Sequence, residues 1–428
     1  MKKMLWPLLA ALVAGSAQAS YDVMERYKLL EDKLKTEDML RPFGHDFLLD
    51  VNVAANKNIL DFKDDMTKMS KVQGADAAAK VTNAIEILEK WTNTEQTLKG
   101  NVNIGIPLFS FTAWGVKVTP DLRVSALVGA NLAIQSETIT GDTIASLLGQ
   151  DTPAEIKALI ANNTFVNGLN KGDDIIQKAL DNNTISDPVQ RTLAQGYVGK
   201  FYWPGLTSPI VSAYAKLDAK GGLLVNMVKK KDEDRKWVSY VNVYGLARTD
   251  YLVKLSAASF VNDKGVTDQV KNANTTVDLM ADLKLGREWF RYSLAGTLEE
   301  IKISRMSDRK AKGAGEPKYK TPMLVRVHGD AEYKYSILTL TPFLGMHKRT
   351  GYDFMDGVYG GADFGAYVWG KRLGLQFRTM LDNNFVTISP RLKLWLMQLE
   401  YSLKKPVTSQ IDGMKVSTLH SLDFRLFF

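Results

Sequence analysis

The chain has 428 residues, of which 45% are hydrophobic and 24% charged, with a formal net charge of +8 and no cysteine. The absence of cysteine excludes a disulfide scaffold, thiolate catalysis and a lipid anchor on an N-terminal cysteine. The composition suits a soluble protein and equally an outer-membrane β-barrel, where only alternate residues face lipid. No nucleic-acid motif occurs, so no nucleic-acid partner is expected.

Residues 1–19, "MKKMLWPLLAALVAGSAQA", predict a signal peptide. Two lysines precede an apolar run, and Ala17-Gln18-Ala19 is a small-x-small cleavage site. The apolar run is shorter than the ~20 residues that a spanning helix needs. We therefore expect an exported protein of a Gram-negative bacterium, with a mature chain that begins at Ser20.

Residues 20–97 carry helical patterns. In "YDVMERYKLLEDKLKT", the residues Met24, Tyr27, Leu30 and Leu34 recur at helical spacing, and "AAAKVTNAIEILEKW" forms a second helical segment. The stretch "FGHDFLLDVNVAAN" between them is compatible with a short strand. This region is expected either to plug the lumen of a barrel or to lie in the periplasm.

From about Leu98 to the end, segments of about ten residues alternate apolar and polar positions, with turn signals between them. Membrane-spanning strands of a barrel need ~9–11 residues. The candidate strands are 98–106, 109–119, 121–135, 209–219, 222–230, 236–247, 250–262, 275–286, 290–303, 321–335, 337–348, 357–370, 373–382, 384–393, 395–404 and 416–428. The pattern predicts an all-β transmembrane fold over 98–428, an antiparallel outer-membrane barrel of about 14 strands (range 12–16).

Loop lengths support this interpretation, because outer-membrane barrels have short periplasmic turns and longer extracellular loops. The predicted periplasmic connections are all short and lie near 120, 220–221, 248–249, 287–289, 336, 371–372 and 394. The predicted extracellular ones are 136–208, 231–235, 263–274, 304–320, 349–356 and 405–415, most of which are long. Two short extracellular connections, near 107–108 and 383, suggest that two bent strands are split in this reading.

Residues 136–208 form the longest insert within the barrel. "DTPAEIKALIANN" has a capping box, with Thr152 as N-cap, Pro153 at the first helical position and Glu155 three residues after the cap. Two further helical segments follow in "DDIIQKALDNN" and "DPVQRTLAQ". The insert is predicted to be extracellular. Two roles are compatible with the sequence, a lid over the barrel mouth and a surface loop without a gating role.

The alternation places charged residues on one face of several strands. Charges at every second position imply water or partner charges on that side, because an unpaired buried charge is costly. A polar lumen meets this requirement. The residues expected to face the lumen are Asp278, Asp282, Lys284, Arg326, His328, Asp330, Glu332, Arg378, Gln398, Glu400, Asp423 and Arg425.

Aromatic residues mark the predicted strand ends. Trp289, Trp369, Trp395 and Tyr401 are expected to belong to the aromatic girdles of a barrel. The chain ends in "HSLDFRLFF", read as the closing strand, and its terminal Phe428 resembles the signature that the barrel-assembly machinery recognises. Outer-membrane lipid and lipopolysaccharide are the other expected partners, together with an unknown solute.

The order of segments resembles the long-chain fatty acid transporter (FadL) superfamily, including its TraF-like group. The resemblance is carried by "TPMLVRVHGDAEYKYSILTLTPFLGMHKR", "DGVYGGADF" and "PRLKLWLMQLEYSLKKP", which look like the closing hairpins of that group. It implies a barrel of about fourteen strands with an N-terminal hatch, and the transporters of this family pass hydrophobic molecules. No motif allows ligand-contacting residues to be carried over.

No catalytic, cofactor or metal site is predicted. The four histidines His45, His328, His347 and His420 stand apart in the sequence, and no GxSxG or HExxH motif occurs. The predicted function is a passive outer-membrane channel or transporter for small or hydrophobic solutes, with the N-terminal segment as a gate. The alternative is a surface recognition, adhesion or structural protein that uses the 136–208 insert.

Two prolines, Pro342 and Pro390, fall inside predicted strands. Proline removes a donor from the β-ladder and usually marks a bulge or an edge. In transporters of the FadL superfamily a strand kink opens the wall sideways. The two prolines are therefore candidate wall kinks, and a misplaced strand boundary is the simpler alternative.

Overall fold

The computed structural model describes residues 21–39, 47–70, 77–138, 140, 153–161, 165, 168–199, 201–203, 205, 207–232, 235–256, 273–309, 322–369 and 372–427. The predicted signal peptide and Phe428 lie outside these residues. Among the described residues, no helix has both the length and the apolarity needed to cross a membrane.

Six α-helices and one 3-10 turn accompany the strands in the described chain. The helices are α1 (Val23–Met39), α2 (Ile59–Ser70), α3 (Ala77–Lys90), α4 (Ala154–Ile160), α5 (Ile175–Asp181) and α6 (Pro188–Gln195), and the 3-10 turn is Met355–Gly357. Asp174 and Asp187 cap α5 and α6, since each side chain accepts two backbone N–H groups of the first turn. The helical segments predicted in 20–97 and in the insert are therefore present.

The strands form one antiparallel sheet that closes on itself. They are β1 (Phe47–Asn56), β2 (Thr94–Pro107), β3 (Phe111–Ala113), β4 (Val116–Thr138), β5 (Thr207–Lys230), β6 (Arg235–Ser256), β7 (Asn274–Trp289), β8 (Tyr292–Arg309), β9 (Leu324–Ala331), β10 (Tyr333–Tyr335), β11 (Leu338–Lys348), β12 (Val358–Val368), β13 (Leu373–Asp382), β14 (Phe385–Leu394), β15 (Met397–Pro406), β16 (Gln410–Ile411), β17 (Met414–Val416) and β18 (Leu419–Phe427). Strand β1 pairs with β2 on one side and with β18 on the other, which closes the barrel.

The wall has fourteen strands, which confirms the predicted fold class and strand number. The short strands β9 and β10 pair with the same partner, β11, and count as one. The β3 segment extends the hairpin of β2 and β4, while β16 and β17 form a small hairpin in the loop before β18. Exposed apolar and buried polar residues alternate along strands such as β15, the reverse of a soluble protein and typical of a membrane barrel.

Three predicted turns were wrong. The positions near 120, 220–221 and 248–249 lie within the continuous strands β4, β5 and β6, of 23, 24 and 22 residues. Pro120 and the pair Gly221-Gly222 gave false turn signals at the first two positions, whereas 248–249 contains neither proline nor glycine. The short connections near 107–108 and 383 are real. However, the connections near 107–108 and at 231–234 both lie at the opposite end of the barrel from the one predicted.

The connections are mostly short at one end of the barrel and mostly long at the other, with 383–384 as a short exception at the second end. One end, called the turn end, has the connections 108–115, 231–234, 290–291, 336–337, 369–372 and 395–396. The other, called the loop end, has 57–93, 139–206, 257–273, 310–323, 349–357, 383–384 and 407–418. The wall also begins earlier than the expected boundary at residue 98, because β1 and the start of β2 belong to it.

The aromatic residues predicted at strand ends mostly lie at the turn end. Trp369 and Trp395 occupy turn tips with positive φ and are exposed, and Trp289 ends β7. Phe290 and Trp114 occupy equivalent turn tips with positive φ. Tyr401 lies in the middle of β15 and does not belong to a strand end.

The glycine pair in the middle of β5 provides a test of the long-strand assignment. A Cβ built on Gly222 would lie 2.6 Å from Cα of Tyr244 and closer still to the carbonyl oxygen of Val243, both on β6. We expect Gly222→Ala to destabilise the barrel by about 1–3 kcal/mol, because the added methyl group meets backbone that cannot move aside. Urea unfolding in detergent or lipid measures this.

Gly221→Ala is the matched control, since a Cβ there meets nothing within 4 Å. If residues 220–221 were a flexible turn, both substitutions would be tolerated equally. Equal stability of the two variants would therefore contradict the continuous strand.

Candidate functional site

The polar residues predicted to face the lumen lie on the buried face of the wall. Nine of the twelve are less than 10% exposed, namely Asp278, Lys284, Arg326, His328, Arg378, Gln398, Glu400, Asp423 and Arg425. Asp282, Asp330 and Glu332 are half-buried. Burial of so many charged groups requires partners, and the contacts of the described residues identify them.

One group of predicted residues forms a belt of ion pairs around the closing seam of the barrel. Arg425 pairs with Asp50 of β1 at 2.9 Å and with Asp423 at 2.8 Å. Glu400 of β15 pairs with Arg391 of β14 at 2.8 Å. The belt therefore links the first strand of the wall to the last strands.

The same belt continues onto β13 and β12. Arg378 pairs with Asp363 at 2.8 Å and lies 3.6 Å from Glu400. Gln398, opposite Arg425 in the register of β15 and β18, lies next to the belt. The sequence identified most of its members, but Asp50, Asp363 and Arg391 were missed.

A second group lies on β7, β8 and β9. Asp278 pairs with Arg305 and, at 3.2 Å, with Lys302, while Lys284 lies over the ring of Tyr240. Arg326 pairs with Glu299 at 2.9 Å.

His328 contacts Tyr359 Oη at 3.2 Å and Asp330 at 3.5 Å. Asp330 also accepts a hydrogen bond from Ser293, and Glu332 pairs with Lys334 at 2.8 Å. The predicted polar row on β9 is thus a salt-bridged wall.

Helix α1 lies inside the barrel and contacts strands from several sides of the wall. Its charged residues Arg26, Glu31, Asp32 and Lys33 are buried. Arg26 pairs with Glu95 of β2 at 3.0 Å, Glu31 with Lys216 of β5 at 2.6 Å, and Lys33 with Asp382 at the end of β13. Lys35 lies 3.5 Å from Glu300 of β8. These pairs hold α1 across the interior.

Asp32 is the centre of the strongest cluster on α1. Its two carboxylate oxygens each accept a 2.9 Å hydrogen bond from Arg349, which follows β11. Tyr352 Oη donates to Asp32 at 3.1 Å and contacts His347 Nδ1 at 2.9 Å. A bidentate arginine–carboxylate pair fixes geometry as well as charge. This cluster therefore sets both the depth and the rotation of α1.

The Glu300 carboxylate joins this cluster through an irregularity of the wall. It pairs with Arg349 at 2.6 Å, and Glu300 has a positive φ of 57° where the β7–β8 register shifts. A β-bulge of this kind re-aims a side chain. Its backbone N–H donates to Asp282 at 2.8 Å, so a predicted lumen residue holds the bulge.

The apolar residues of α1 contact small patches of the wall near the loop end. Tyr27 packs against Tyr214, and Leu30 against Phe385. Leu34 packs against Ala54 and Leu419. The Met24–Tyr27–Leu30–Leu34 pattern correctly indicated a helix, and its apolar face meets these interior patches.

Gly129 of β4 makes room for the Tyr27 ring. A Cβ built on Gly129 would overlap the Tyr27 hydroxyl, so the strand needs glycine at this point of close approach. The wall and the helix are therefore matched in shape as well as in charge.

Helices α2 and α3 pack together at the loop end. Phe62 and Trp91 meet edge-to-face and join Ile134, Val211 and Val253 of the wall strands in one apolar cluster. Asp65 accepts hydrogen bonds from Lys68, Lys90 and Trp91. The bond from Lys90 is the main reason why the pKa of Asp65 falls from its usual value to about 2.

The insert forms its own small apolar core at the same end. Trp203, Ile175, Ile176 and Ala179 are fully buried in it, and Ile210 of β5 continues it into the wall. Lys171 of the insert pairs with Glu89 of α3 at 2.7 Å. The predicted insert and the predicted N-terminal helices therefore meet over the loop end.

The two prolines coincide with interruptions of the β-ladder. Pro390 pairs with β13, but the β14–β15 ladder has no pairs at Ser389 and Pro390. Pro342 pairs with β12, and its other side lies opposite the break between β9 and β10. Both strands continue through the proline in unchanged register. The alternative of a misplaced strand boundary is thus wrong.

The histidines do not form a metal site in the described part of the chain. His45 lies outside it, and no group of three or more His, Cys, Asp or Glu side chains in the described ranges could hold a metal ion. His420 contacts Tyr401 Oη at 2.5 Å, away from the cluster of His347.

No protein-family model matches this chain, and no curated protein matches it. Among solved structures, the chain is similar to CdiB from Acinetobacter baumannii, with 9% identity, a TM-score of 0.32 and coverage of 89% of this chain and 60% of CdiB. It thus spans less than two thirds of that protein's length.

Two further solved structures are similar to this chain. The Pseudomonas putida toluene transporter TodX shares 10% identity, with a TM-score of 0.30 and coverage of 78% of this chain and 70% of TodX. A Pseudomonas aeruginosa FadL homologue shares 9% identity, with a TM-score of 0.31 and coverage of 78% and 68%. The second belongs to the superfamily that the sequence resembles.

The bidentate pair at Asp32 can be tested with a single reporter, because the chain contains no cysteine. Leu34→Cys places one thiol on α1 at a position that is 5% exposed. Adding Asp32→Asn removes the charge of the bidentate pair and leaves Arg349 with Glu300 alone, and breaking a buried pair costs about 3–5 kcal/mol. We expect maleimide labelling of the thiol to become at least tenfold faster.

Glu25→Gln in the same Leu34→Cys background is the control, because Glu25 carries the same charge on an exposed position of α1. It should leave the labelling rate unchanged. Equal labelling of the Asp32→Asn and Glu25→Gln variants would show that the pair with Arg349 does not hold α1 in place.

Proposed function

We propose that the protein is a passive outer-membrane channel for small or hydrophobic solutes, and that α1 is its gate. The observation that carries this proposal is the position of α1, which crosses the interior and pairs with β2, β5, β8 and β13. A helix in the lumen obstructs passage, and ion pairs can be exchanged for water when the helix moves. In this proposal α1 is the plug. The strand β1 and the start of β2, which also lie within residues 20–97, belong to the wall.

The proposed location is the outer membrane of a Gram-negative bacterium, with the turn end in the periplasm and the loop end outside. This orientation follows the rule that barrels have short periplasmic turns and long extracellular loops. The insert and helices α2 and α3 then lie on the extracellular side. We also propose that Phe428, which lies outside the described residues, is the signal for the barrel-assembly machinery, as the sequence predicts.

Apolar patches on the interior face support a hydrophobic solute. Phe343, Tyr359 and Met380 form one such patch, and Tyr244, Leu246 and Met280 form another. Mixed charges elsewhere on the wall argue against strong ion selectivity. The name of TodX, a toluene transporter, suggests monoaromatic hydrocarbons as the first solutes to try.

Conductance in planar bilayers tests the gate. We expect the mature chain to be closed for most of the time and a variant without residues 21–39 to show steady current steps, because the lumen is then open to water. A deletion of 20–97 would be unsuitable, since it also removes β1 and the start of β2. Heat-modifiable gel mobility establishes first that each variant forms a barrel.

If neither the mature chain nor the variant without residues 21–39 conducts although both form barrels, the proposal that the protein is a channel is wrong. The alternative function, surface recognition or adhesion through the insert, would then gain support. That alternative has its own observation, because α6 exposes Val189 and Leu193 one helical turn apart on a compact extracellular element. Steady current steps with the full-length chain would support the channel but show that α1 is not a gate.

We further propose that the ladder gap at Pro390 weakens the wall and lets a hydrophobic solute leave sideways into the membrane. Pro390→Ala restores a donor and adds a hydrogen bond of about 1 kcal/mol to the β14–β15 ladder. We expect proteoliposome uptake of toluene to fall several-fold. Pro406→Ala, at the end of β15, is the control.

If Pro390→Ala and Pro342→Ala both retain full toluene uptake, the proposal of a sideways route is wrong. Solute release would then have to follow the lumen to the turn end. Retained uptake by Pro390→Ala alone would assign the weak point to Pro342, where β9 and β10 separate.

A further inference from the structure

An apolar depression of about 760 Å³ lies on the outer surface of the barrel near the turn end. It extends across β10 to β14 and is lined mainly by apolar and aromatic side chains. Its volume is within the range of small-molecule pockets. The interior lumen and the α1 cluster are on the other face of the same strands.

The strand register explains why a hollow forms here. Tyr335, Leu338, Ala366 and Leu375 all line it, and Ala366 is paired with Leu338 on one side and with Leu375 on the other. A methyl group between larger side chains leaves a gap in the outer surface. Tyr335 is 82% exposed and forms a high edge beside it.

A second row forms the opposite side of the depression. Leu340, Phe364, Phe377 and Pro390 follow one another across β11 to β14 in direct register. All four face outward and line the hollow. The long axis of the depression is thus enclosed by two parallel rows of apolar side chains, which suits an acyl chain.

Cationic groups stand at the edge of the depression that lies nearest the turns. Arg291, in the β7–β8 turn, lies over the rings of Phe290 at 5.1 Å and Tyr333 at 5.6 Å. Lys334 pairs with Glu332 at 2.8 Å, whereas Arg291 makes no ion pair with any residue that the structure describes. The edge therefore has one uncompensated positive charge held in place by aromatic rings.

We propose that this depression is a specific site for an anionic phospholipid, whose acyl chain occupies the apolar groove and whose phosphate group contacts Arg291. The apolar rows bury the chain, and the charge complementarity at the edge selects the headgroup. In the proposed orientation the site faces the periplasmic leaflet, where its ligand is phospholipid. The site does not depend on whether the lumen conducts.

The test uses the full mature chain in nanodiscs that contain equal amounts of phosphatidylglycerol and phosphatidylcholine. Native mass spectrometry counts the lipids that stay bound after the disc is removed. One basic residue near a membrane surface favours an anionic lipid about fivefold, so we expect at least this enrichment of phosphatidylglycerol. Arg291→Gln should abolish the preference while leaving an acyl chain bound.

Ala366→Trp fills the groove and should remove the retained lipid altogether. Ala126→Trp is its control, because Ala126 is also a small outward-facing residue, on β4 at a distance from the groove. Arg287→Gln is the control for charge, since Arg287 also lies over two aromatic rings, those of Trp237 on β6 and Trp289 on its own strand β7.

Heat-modifiable mobility is measured first for every variant. Should Ala366→Trp fail to form a barrel, Arg291→Gln at its exposed turn still decides the proposal. Equal retention of both lipids by the unaltered chain, or an equal loss of preference in Arg291→Gln and Arg287→Gln, would overturn it. Loss of conductance with retained lipid preference would contradict the channel and leave this site intact.

Discussion

The pairing of charges between α1 and the interior wall is the interaction on which the structure depends. A helix with Arg26, Glu31, Asp32 and Lys33 all buried could not remain inside a barrel without opposite charges around it. The wall has the reciprocal requirement, because Glu95, Lys216, Arg349 and Asp382 would otherwise face each other or water. The buried charges of the helix are therefore compensated by those of the wall, and those of the wall by the helix.

This pairing is specific because the geometry of the wall is irregular where α1 binds. The bulge at Glu300 turns a carboxylate toward Arg349 and Lys35, and Gly129 leaves space for Tyr27. Strands β4, β5 and β6 exceed twenty residues, about twice what a membrane crossing needs. Their extra length continues the wall at the loop end, where it meets α2, α3 and the insert.

Much of the fold could be predicted from the sequence, because a membrane barrel repeats one simple pattern of alternation. The antiparallel barrel, the helical segments and the polar face follow from periodicity and loop length. The individual strands follow less well, because three long strands were each split in two and β1 was assigned to the N-terminal segment. Two of the errors arose at Pro120 and at the pair Gly221-Gly222, where local turn signals lie within long strands. Glycine there serves the close approach of Tyr244, a contact between residues that are distant in sequence.

The candidate site was harder to predict, for a physical reason. Alternation indicates which residues face inward but not which of them meet across the lumen. Thus Arg326 and Asp278 were identified, while Glu95, Lys216 and Arg349, which hold α1, were not. Their partners lie 69, 185 and 317 positions away in sequence, on the helix that only the closed barrel brings near.

The attachment of α1 to the wall limits how the proposed gate can work. Only residues 40–46 separate the end of α1 from the start of β1, which is fixed in the ladder between β2 and β18. Even fully extended, a tether of this length spans roughly 25–30 Å. In the proposed gate, a displaced α1 would therefore stay at a high local concentration near its binding site. It would return by an intramolecular step whose rate does not depend on protein concentration.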